Sequence, residues 1–341
     1  MLVAGLPGTE ALASYAITPF RVGDIMETRA FGDLGQVSVL SLGGGGLGRI
    51  WGATTREETV ATARAAVDSG ITLLDMAPSY GGGEAEWVIS EAFGGKLPPG
   101  IRITTKCRVG QTPMVEVPRL LEDSLGVSLE RMRLERVDLF FLHSFVGADD
   151  DTTNDRATRR SVFLEAIVPT FEKLKAQGRI GGWGLTGIGI PPVLIDLLGS
   201  GVKPSAIQCI ANLLDSPGNL KRYDGPAMPR QVIAAASRAG VPVMGIRVVQ
   251  AGALTDAIDR ELPIDHPEVL DYQRAAPFRM VAKGIGESPA ALAHRYALSM
   301  DGVSTVVLGV KNRAELQECV EAAEAGRLSQ DVTTLIDAAV N

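Results

Sequence analysis

The sequence predicts an α/β protein that folds as a single (β/α)₈ TIM barrel, with long loops at the carboxyl ends of the strands. Short apolar runs recur along the chain, and a helix-sized segment follows each one. The runs are rich in Val, Ile and Leu without polar alternation, which is typical of parallel strands buried on both faces. The length of 341 residues suits one barrel with insertions. The eight predicted strands are 37–42, 71–75, 101–106, 137–143, 181–186, 206–210, 241–246 and 303–309.

Helical patterns fill the intervals between these strands. After the first strand, Thr55 and Glu58 have the spacing of a capping box at the start of a helix. The pattern at 85–93 predicts the next helix. The segment 161–177 is helical by its apolar spacing, and Pro169 within it predicts a kink or an interruption.

Two connections are longer than the others, 144–160 and 250–287. The first contains the acidic run 149–151, and the second contains Pro267 and Pro277 among its prolines. Loops that follow barrel strands lie at the catalytic end, so long ones there are often functional. A solvated acidic loop is the simpler interpretation of the run 149–151.

Composition excludes several classes of function. The net charge of −7 gives no support for binding nucleic acid or an anionic membrane, and no apolar stretch reaches the roughly 20 residues of a membrane span. The cysteines Cys107, Cys209 and Cys319 are far apart and form no CxxC pair, which predicts a reducing, cytoplasmic location. Nothing in the sequence favours a particular oligomeric state.

The first 25 residues lack the periodicity of a helix or strand. They also lack the basic start and long apolar stretch of a signal peptide. We therefore predict that residues 1–25 are a loosely ordered extension and that the barrel domain occupies 26–341.

Polar side chains stand at the ends of three consecutive predicted strands. Asp75, Lys106 and His143 each end a strand, and Tyr80 lies in the loop after Asp75. The carboxyl ends of parallel barrel strands meet at one mouth, so these four side chains are expected to converge there. Each of them alone is weak evidence, since a single strand-end histidine or lysine is more often structural. Their joint occurrence is the informative observation.

These four side chains suit proton transfer to a carbonyl oxygen. A phenol is a weak acid with a pKa of about 10, and a nearby ammonium group lowers that value. A carboxylate beside the ammonium group keeps it charged and in place. An imidazole beside the phenol can orient a carbonyl oxygen. The set therefore predicts protonation of an aldehyde or ketone while another group delivers hydride.

The chain resembles the aldo-keto reductase family. "LLDMAPSYGGGE" is similar to that family's "DTAxxYGxxE" segment, and "ITTK", "DLFFLH", "GRIGGWGLTG" and "TVVLGVKNRAELQE" resemble its later blocks in the same order. The resemblance implies a barrel that uses NADPH, less often NADH, and no metal. It also implies that Tyr80 is the general acid, that Lys106 lowers its pKa, that Asp75 positions Lys106 and that His143 orients the substrate carbonyl.

The segment 309–320, "GVKNRAELQECV", predicts an anion site. Asn312 is placed to cap a helix, and Lys311 and Arg313 flank the cap, so two cations lie near a helix N-terminus. In the family this segment binds the adenosine 2′-phosphate, which favours NADPH over NADH. Gly309 and Gln317 belong to the same predicted cofactor segment. Ordinary surface charge on the last barrel helix is the alternative interpretation.

Further cofactor positions rest on the resemblance. Gln208 ends its strand and corresponds to the family's ligand for the nicotinamide carboxamide. Gly45, within the glycine-rich run 43–48, is expected to let the backbone approach the nicotinamide, although a plain turn explains that run equally well. Thr186 replaces a family serine. Ile246 stands where the family often has an aromatic residue that stacks on nicotinamide.

Other positions depart from the family or stay open. Gly187 supplies no side-chain amide, and Cys319 replaces an asparagine that commonly contacts adenine. Arg247 is expected to bind pyrophosphate or a substrate anion, or else to form a salt bridge within its loop. Trp51 is expected to line the substrate pocket with His143, although simple packing is an equal alternative for Trp51.

The sequence leaves two alternatives to a carbonyl reductase. One is a Schiff-base aldolase-like barrel that uses Lys106, in which the cation-flanked helix at Asn312 has no clear role. The other is a nicotinamide-binding regulatory subunit with slow turnover. Substrates from sugars to bulky polycyclic ketones fit the sequence equally well.

Overall fold

Eight parallel strands close into a barrel in the structure, a computed structural model that describes residues 26–150, 154 and 156–340. Each barrel strand pairs with its neighbours in sequence, and the last pairs with the first. The predicted TIM barrel is therefore confirmed, and the strand ends differ from the predicted ones by a few residues at most. The strands are β1 (Leu40–Gly43), β2 (Leu73–Asp75), β3 (Arg102–Cys107), β4 (Val137–Leu142), β5 (Ile180–Thr186), β6 (Ala206–Ile210), β7 (Val243–Ile246) and β8 (Val303–Leu308).

Helices follow the strands and form the outer layer. The capping box predicted at Thr55 is present in part, because the Thr55 hydroxyl accepts the Glu58 backbone N–H at 3.2 Å. The longer helices are α1 (Arg56–Asp68), α2 (Glu84–Phe93), α3 (Val117–Met132), α4 (Val168–Ala176), α5 (Pro191–Gly199), α6 (Pro229–Arg238), α7 (Pro267–Arg274), α8 (Ala276–Ile285), α9 (Pro289–Ser299), α10 (Arg313–Glu324) and α11 (Gln330–Val340).

The N-terminal end of the barrel is closed by a hairpin. The first predicted strand, 37–42, is divided in the structure, because Gln36–Ser38 pairs antiparallel with Thr28–Ala30 and the barrel strand begins only at Leu40. Phe31, in the hairpin turn, is fully buried in a cluster with Leu73, Phe141 and other inward-facing barrel residues. The hairpin is thus part of the core. The predicted extension, residues 1–25, lies outside the described residues.

The two long connections contain secondary structure of their own. In the first, Phe145–Gly147 pairs with Ala157–Arg159, and only part of the acidic run is described. In the second, α7 and α8 occupy much of a segment expected to be a loop. Pro267 and Pro277 lie in the first turns of these helices, where the missing N–H has no intrahelical acceptor to lose.

Pro169 lies in the first turn of α4, directly after the π-helical segment Phe163–Ile167. The interruption predicted at this proline is therefore present as a π-helical turn.

Among the described residues, no helix combines the length and apolar character needed to cross a bilayer. Within the same residues, no group of three or more His, Cys, Asp or Glu side chains is arranged to hold a metal ion.

Candidate active site

Asp75, Tyr80, Lys106 and His143 meet at the carboxyl ends of β2, β3 and β4. Asp75 is the last residue of β2, Lys106 lies near the end of β3, and His143 directly follows β4. Tyr80 begins a helical turn in the loop after β2. The parallel register of adjacent strands places these ends side by side, so four residues distant in sequence lie together at one end of the barrel.

The Lys106 ammonium group is completely enclosed by protein. Its Nζ lies 2.8 Å from Asp75 Oδ1 and donates to the Met76 carbonyl oxygen at 2.8 Å. Its charge also acts on the nearby Tyr80 phenol and lowers the pKa of that group. Two protein oxygens, one from Asp75 and one from Met76, therefore hold the ammonium group. Lys106 is 0% and Asp75 is 2% exposed, so this ion pair is shielded from solvent.

Tyr80 contacts both the cation and the imidazole. Lys106 Nζ lies 4.9 Å from the centre of the Tyr80 ring. The Tyr80 and His143 rings meet edge to face, with centroids 5.8 Å apart and an interplanar angle of 85°. The His143 backbone N–H donates to the Cys107 carbonyl oxygen at 2.7 Å, which fixes the backbone of His143 beside the end of β3.

The environment of Tyr80 changes its pKa in opposing ways. Burial raises the pKa of Tyr80 and is the largest influence, the Lys106 charge lowers it, and the Asp75 carboxylate raises it again. The predicted lowering by Lys106 is present, but burial outweighs it and the net pKa is raised. Tyr80 is therefore a protonated phenol at neutral pH, the form that donates a proton.

His143 is a neutral imidazole at neutral pH. Burial lowers its pKa well below the usual range, and the positive charges of Lys106 and Arg108 lower it further. A neutral imidazole can still donate one N–H to a carbonyl oxygen.

The pKa of Lys106 is raised, although burial alone lowers it. The Asp75 carboxylate and the Tyr80 phenol outweigh the burial and hold the ammonium group protonated. The side chain is thus a fixed positive charge directed at the phenol.

Two predicted nicotinamide contacts lie on neighbouring strands. Gln208 on β6 pairs in register with Thr186 on β5. The Gln208 amide nitrogen is buried, and no acceptor for it is found among the described residues. The Thr186 hydroxyl donates to the Leu142 carbonyl oxygen at 2.6 Å and keeps its lone pairs free to accept. A buried amide without a partner is costly, and the carboxamide of a nicotinamide would supply its acceptor, so these residues fit that group.

The glycine-rich run 43–48 packs mainly against protein. Its middle forms the short helical turn Gly44–Leu47. A Cβ at Gly46 would lie 1.8 Å from the Val310 carbonyl oxygen, and one at Gly48 would lie 2.6 Å from the Tyr80 backbone. Close packing of neighbouring loops therefore explains most of these glycines.

Trp51 covers two predicted cofactor positions. If Gly45 carried a Cβ, that atom would lie 2.5 Å from the Trp51 indole nitrogen. A Cβ at Gly309 would lie 3.3 Å from the same nitrogen. The Arg260 guanidinium lies 5.8 Å from the Trp51 ring centre on the loop after β7. Trp51 thus packs between the β1, β7 and β8 loops, on the side of the mouth where the cofactor residues are expected.

The helix start predicted at Asn312 is present. The Asn312 side chain accepts the Glu315 backbone N–H at 2.9 Å, and the Glu315 carboxylate accepts the Lys311 backbone N–H at 3.0 Å. Asn312 thus caps α10, while Glu315 reaches back to the residue before the cap.

Both predicted phosphate-binding cations are paired with carboxylates. Lys311 Nζ lies 2.7 Å from Asp259 and 2.7 Å from Glu315. The Arg313 guanidinium binds both oxygens of Glu58, and the Arg313 backbone N–H donates to the same carboxylate at 2.9 Å. An incoming phosphate would compete with these carboxylates for the same donors.

Arg247 forms the loop salt bridge that was the alternative to anion binding. It pairs with the Glu268 carboxylate, and its Nε donates to Gln250 at 3.1 Å. The Arg247 side chain is 9% exposed, so these partners occupy it within the protein. Ile246 ends β7 and is partly exposed, whereas Gln317 lies on the exposed face of α10 and donates to Glu321 at 2.9 Å.

Three residues of the site were not identified from the sequence as functional. In the sequence, Glu58 is interpreted only as a capping residue. No motif marks Asp259 as functional within the long connection 250–287. Thr104 lies two residues before Lys106 on the same face of β3, and this spacing was a signal that could have identified it.

A buried lysine–aspartate pair beside a phenol and an imidazole, at the carboxyl end of a parallel barrel, is an arrangement suited to proton transfer to a carbonyl oxygen. Residues 39–341 match the model of the Aldo/keto reductase family. The chain belongs to the aldo-keto reductase family, whose members use nicotinamide cofactors and small-molecule substrates.

Relatives of known name cover nearly the whole chain. L-galactose dehydrogenase of Arabidopsis thaliana is 26% identical over 91% of this chain and 92% of its own. Pyridoxal 4-dehydrogenase of Microbacterium luteolum is 24% identical over 86% of this chain and 92% of its own. An aldo-keto reductase structure from Bacillus halodurans in its holo form has a TM-score of 0.69 at 22% identity, covering 93% of this chain and 97% of that one. At 22% identity, the similarity to the Bacillus halodurans structure shows a shared fold.

Proposed function

We propose that the protein is an NADPH-dependent carbonyl reductase that converts an aldehyde or ketone to an alcohol reversibly, with Tyr80 as the general acid. The observation that carries the proposal is the buried Lys106–Asp75 ion pair, whose ammonium group lies 4.9 Å from the centre of the Tyr80 ring. When bound, the dihydronicotinamide supplies the hydride for the carbonyl carbon.

Each of the four side chains then has one role. Tyr80 holds the proton that goes to the carbonyl oxygen and receives it back when the alcohol is oxidised. Lys106 stabilises the phenolate left after proton transfer, and Asp75 keeps Lys106 charged and in place. His143, as a neutral imidazole, donates an N–H that orients the carbonyl oxygen against the phenol.

The nicotinamide would be held by side chains from the opposite part of the barrel. The unpartnered Gln208 amide and the Thr186 hydroxyl suit its carboxamide. The sequence favours NADPH because Lys311 and Arg313 stand where a 2′-phosphate is expected. Both cations have carboxylate partners, so this preference depends on how readily a phosphate displaces them.

The protonation of Lys106 argues against the aldolase alternative. A Schiff base forms on a neutral amine, which a lysine reaches when its pKa is lowered. The pKa of Lys106 is raised instead, and its ammonium group is held by Asp75 and the Met76 carbonyl oxygen. The charge is useful for stabilising a phenolate.

Dinucleotide oxidation with a panel of aldehydes and ketones tests the proposal. Tyr80→Phe should lower kcat at least about 100-fold, as expected for the loss of a general acid, while dinucleotide binding measured by fluorescence is retained. Tyr272→Phe is the matched control, since the Tyr272 hydroxyl donates to the Asp256 carbonyl oxygen instead. Nearly full turnover in Tyr80→Phe would remove the proposed mechanism.

A further inference from the structure

The Asp75 carboxylate has a second buried partner besides Lys106. The Thr104 hydroxyl donates to Asp75 Oδ1 at 2.7 Å, and the same oxygen lies 2.8 Å from Lys106 Nζ. Thr104 is 0% exposed. Its single hydrogen is therefore committed to the carboxylate in a region closed to solvent.

The register of the sheet makes this contact specific. Asp75 on β2 and Thr104 on β3 are direct partners across the ladder, and Lys106 follows Thr104 by two residues on the same face. Thr104 and Lys106 thus both point towards Asp75 from one strand. The hydroxyl fixes the carboxylate orientation that the ammonium group meets.

We propose that Thr104 is a positioning residue, whose hydroxyl fixes the Asp75 carboxylate so that Lys106 remains held against the Tyr80 phenol. This inference rests on the proposed function of Tyr80 as the general acid. Loss of the hydroxyl leaves the carboxylate one donor short, allows it to rotate and loosens Lys106. A phenolate at Tyr80 is then less stabilised, while substrate and dinucleotide contacts stay in place.

Thr105 provides a matched control on the same strand. It is also 0% exposed, and its hydroxyl donates to a carboxylate oxygen of Glu86 at the same distance of 2.7 Å. Its partners lie on α2 and α3, on the outer side of the sheet. Thr105→Val therefore removes an equivalent buried hydrogen bond without contacting Asp75, Lys106 or Tyr80.

The kinetic test compares Thr104→Val, Thr104→Ser and Thr105→Val. Thr104→Val should lower kcat about tenfold to hundredfold, as for a lost hydrogen bond to a charged group, with the carbonyl KM changed by less than about threefold. Thr104→Ser, which restores the hydroxyl, should recover most of kcat, and Thr105→Val should keep it. Unchanged kcat in Thr104→Val, or an equal loss in Thr105→Val, would overturn the inference.

A second measurement does not depend on turnover. Ultraviolet difference titration of the wild type against Tyr80→Phe isolates ionisation of the Tyr80 phenol. Its midpoint should move to higher pH in Thr104→Val and stay in place in Thr105→Val, and an unmoved midpoint in both contradicts the inference. If the wild type reduces no carbonyl compound, the proposed function fails, and the titration still decides the role of Thr104. If the valine variant does not fold, Thr104→Cys replaces it, because a thiol is a weaker donor than a hydroxyl. The titration midpoint of Tyr80 should then rise in the same direction by a smaller amount.

Discussion

Glu58 on α1 and Arg313 on α10 form a two-point salt bridge between helices at opposite ends of the sequence. Arg313 Nε donates to one carboxylate oxygen at 3.1 Å and Nη2 to the other at 2.9 Å. The hydrogen bonds from the Arg313 side chain and backbone lower the pKa of Glu58, so this carboxylate stays ionised. A negative charge therefore already lies at the start of α10, where the 2′-phosphate of NADPH is expected.

Removing this carboxylate should favour NADPH. Glu58→Gln frees the Arg313 guanidinium and removes a like charge, so kcat/KM with NADPH should rise about fivefold relative to NADH, the size of an exposed ion pair. Steady-state kinetics with both dinucleotides measures the ratio. Glu57→Gln is the control, because Glu57 is exposed on the same helix and the cations that act on it are Arg49 and Arg56. A ratio that is the same in both variants would contradict competition by Glu58.

The cations themselves should matter more for the phosphorylated cofactor. In the double variant Lys311→Gln with Arg313→Gln, kcat/KM for NADPH should fall at least about tenfold more than for NADH, because charged hydrogen bonds to the phosphate are lost. Both values come from the same assay. If NADPH and NADH lose equally, the phosphate binds elsewhere on the protein.

The two reaction directions should respond to pH in opposite ways. Reduction needs protonated Tyr80, and burial raises the pKa of Tyr80, so kcat should be level through neutral pH and fall only above about pH 10. Oxidation of the alcohol needs the phenolate and should become faster as pH rises. The pKa of His143 lies well below its usual range, so protonation of His143 should change kcat only under strongly acidic conditions. Profiles of kcat with saturating dinucleotide test this, and a fall in reduction between about pH 6 and 8 would indicate another acid.

Lys106 should also contribute strongly to the unfolding free energy of the protein. Lys106→Met leaves the Asp75 carboxylate buried and unpaired, which should cost about 3–5 kcal/mol of unfolding free energy. Adding Asp75→Asn removes the uncompensated charge and should recover much of the loss. Urea denaturation of the two variants checks this. A single variant as stable as the double one would show that Asp75 finds another compensating partner.

The barrel and the four-residue cluster could be predicted from the sequence because their signals are local. Each buried strand is a continuous apolar run, and Asp75, Lys106 and His143 are visible as polar residues at the ends of such runs. The shared geometry of parallel strands then brings them together without further information. The first strand was predicted too early because Val37 is buried against the hairpin and so resembles a barrel residue.

Long-range pairing could not be predicted in the same way. Lys311, Arg313 and Arg247 were identified as cations, but their partners Asp259, Glu58 and Glu268 come from other segments. Which carboxylate faces which cation is decided by helix packing and loop conformation. The net direction of the Tyr80 pKa likewise depends on burial, which follows from the folded cleft.

The proton-transfer cluster comes from residues 75–143, on β2 to β4, whereas most positions expected to hold the dinucleotide lie on β5 to β8 and α10. One continuous stretch of polypeptide thus carries the proposed acid and the residues around it, and a later stretch carries most of the proposed coenzyme contacts. An exchange of the chain after β4 would therefore replace most of the proposed coenzyme contacts, but not Glu58 on α1, and would leave the residues proposed for proton donation intact.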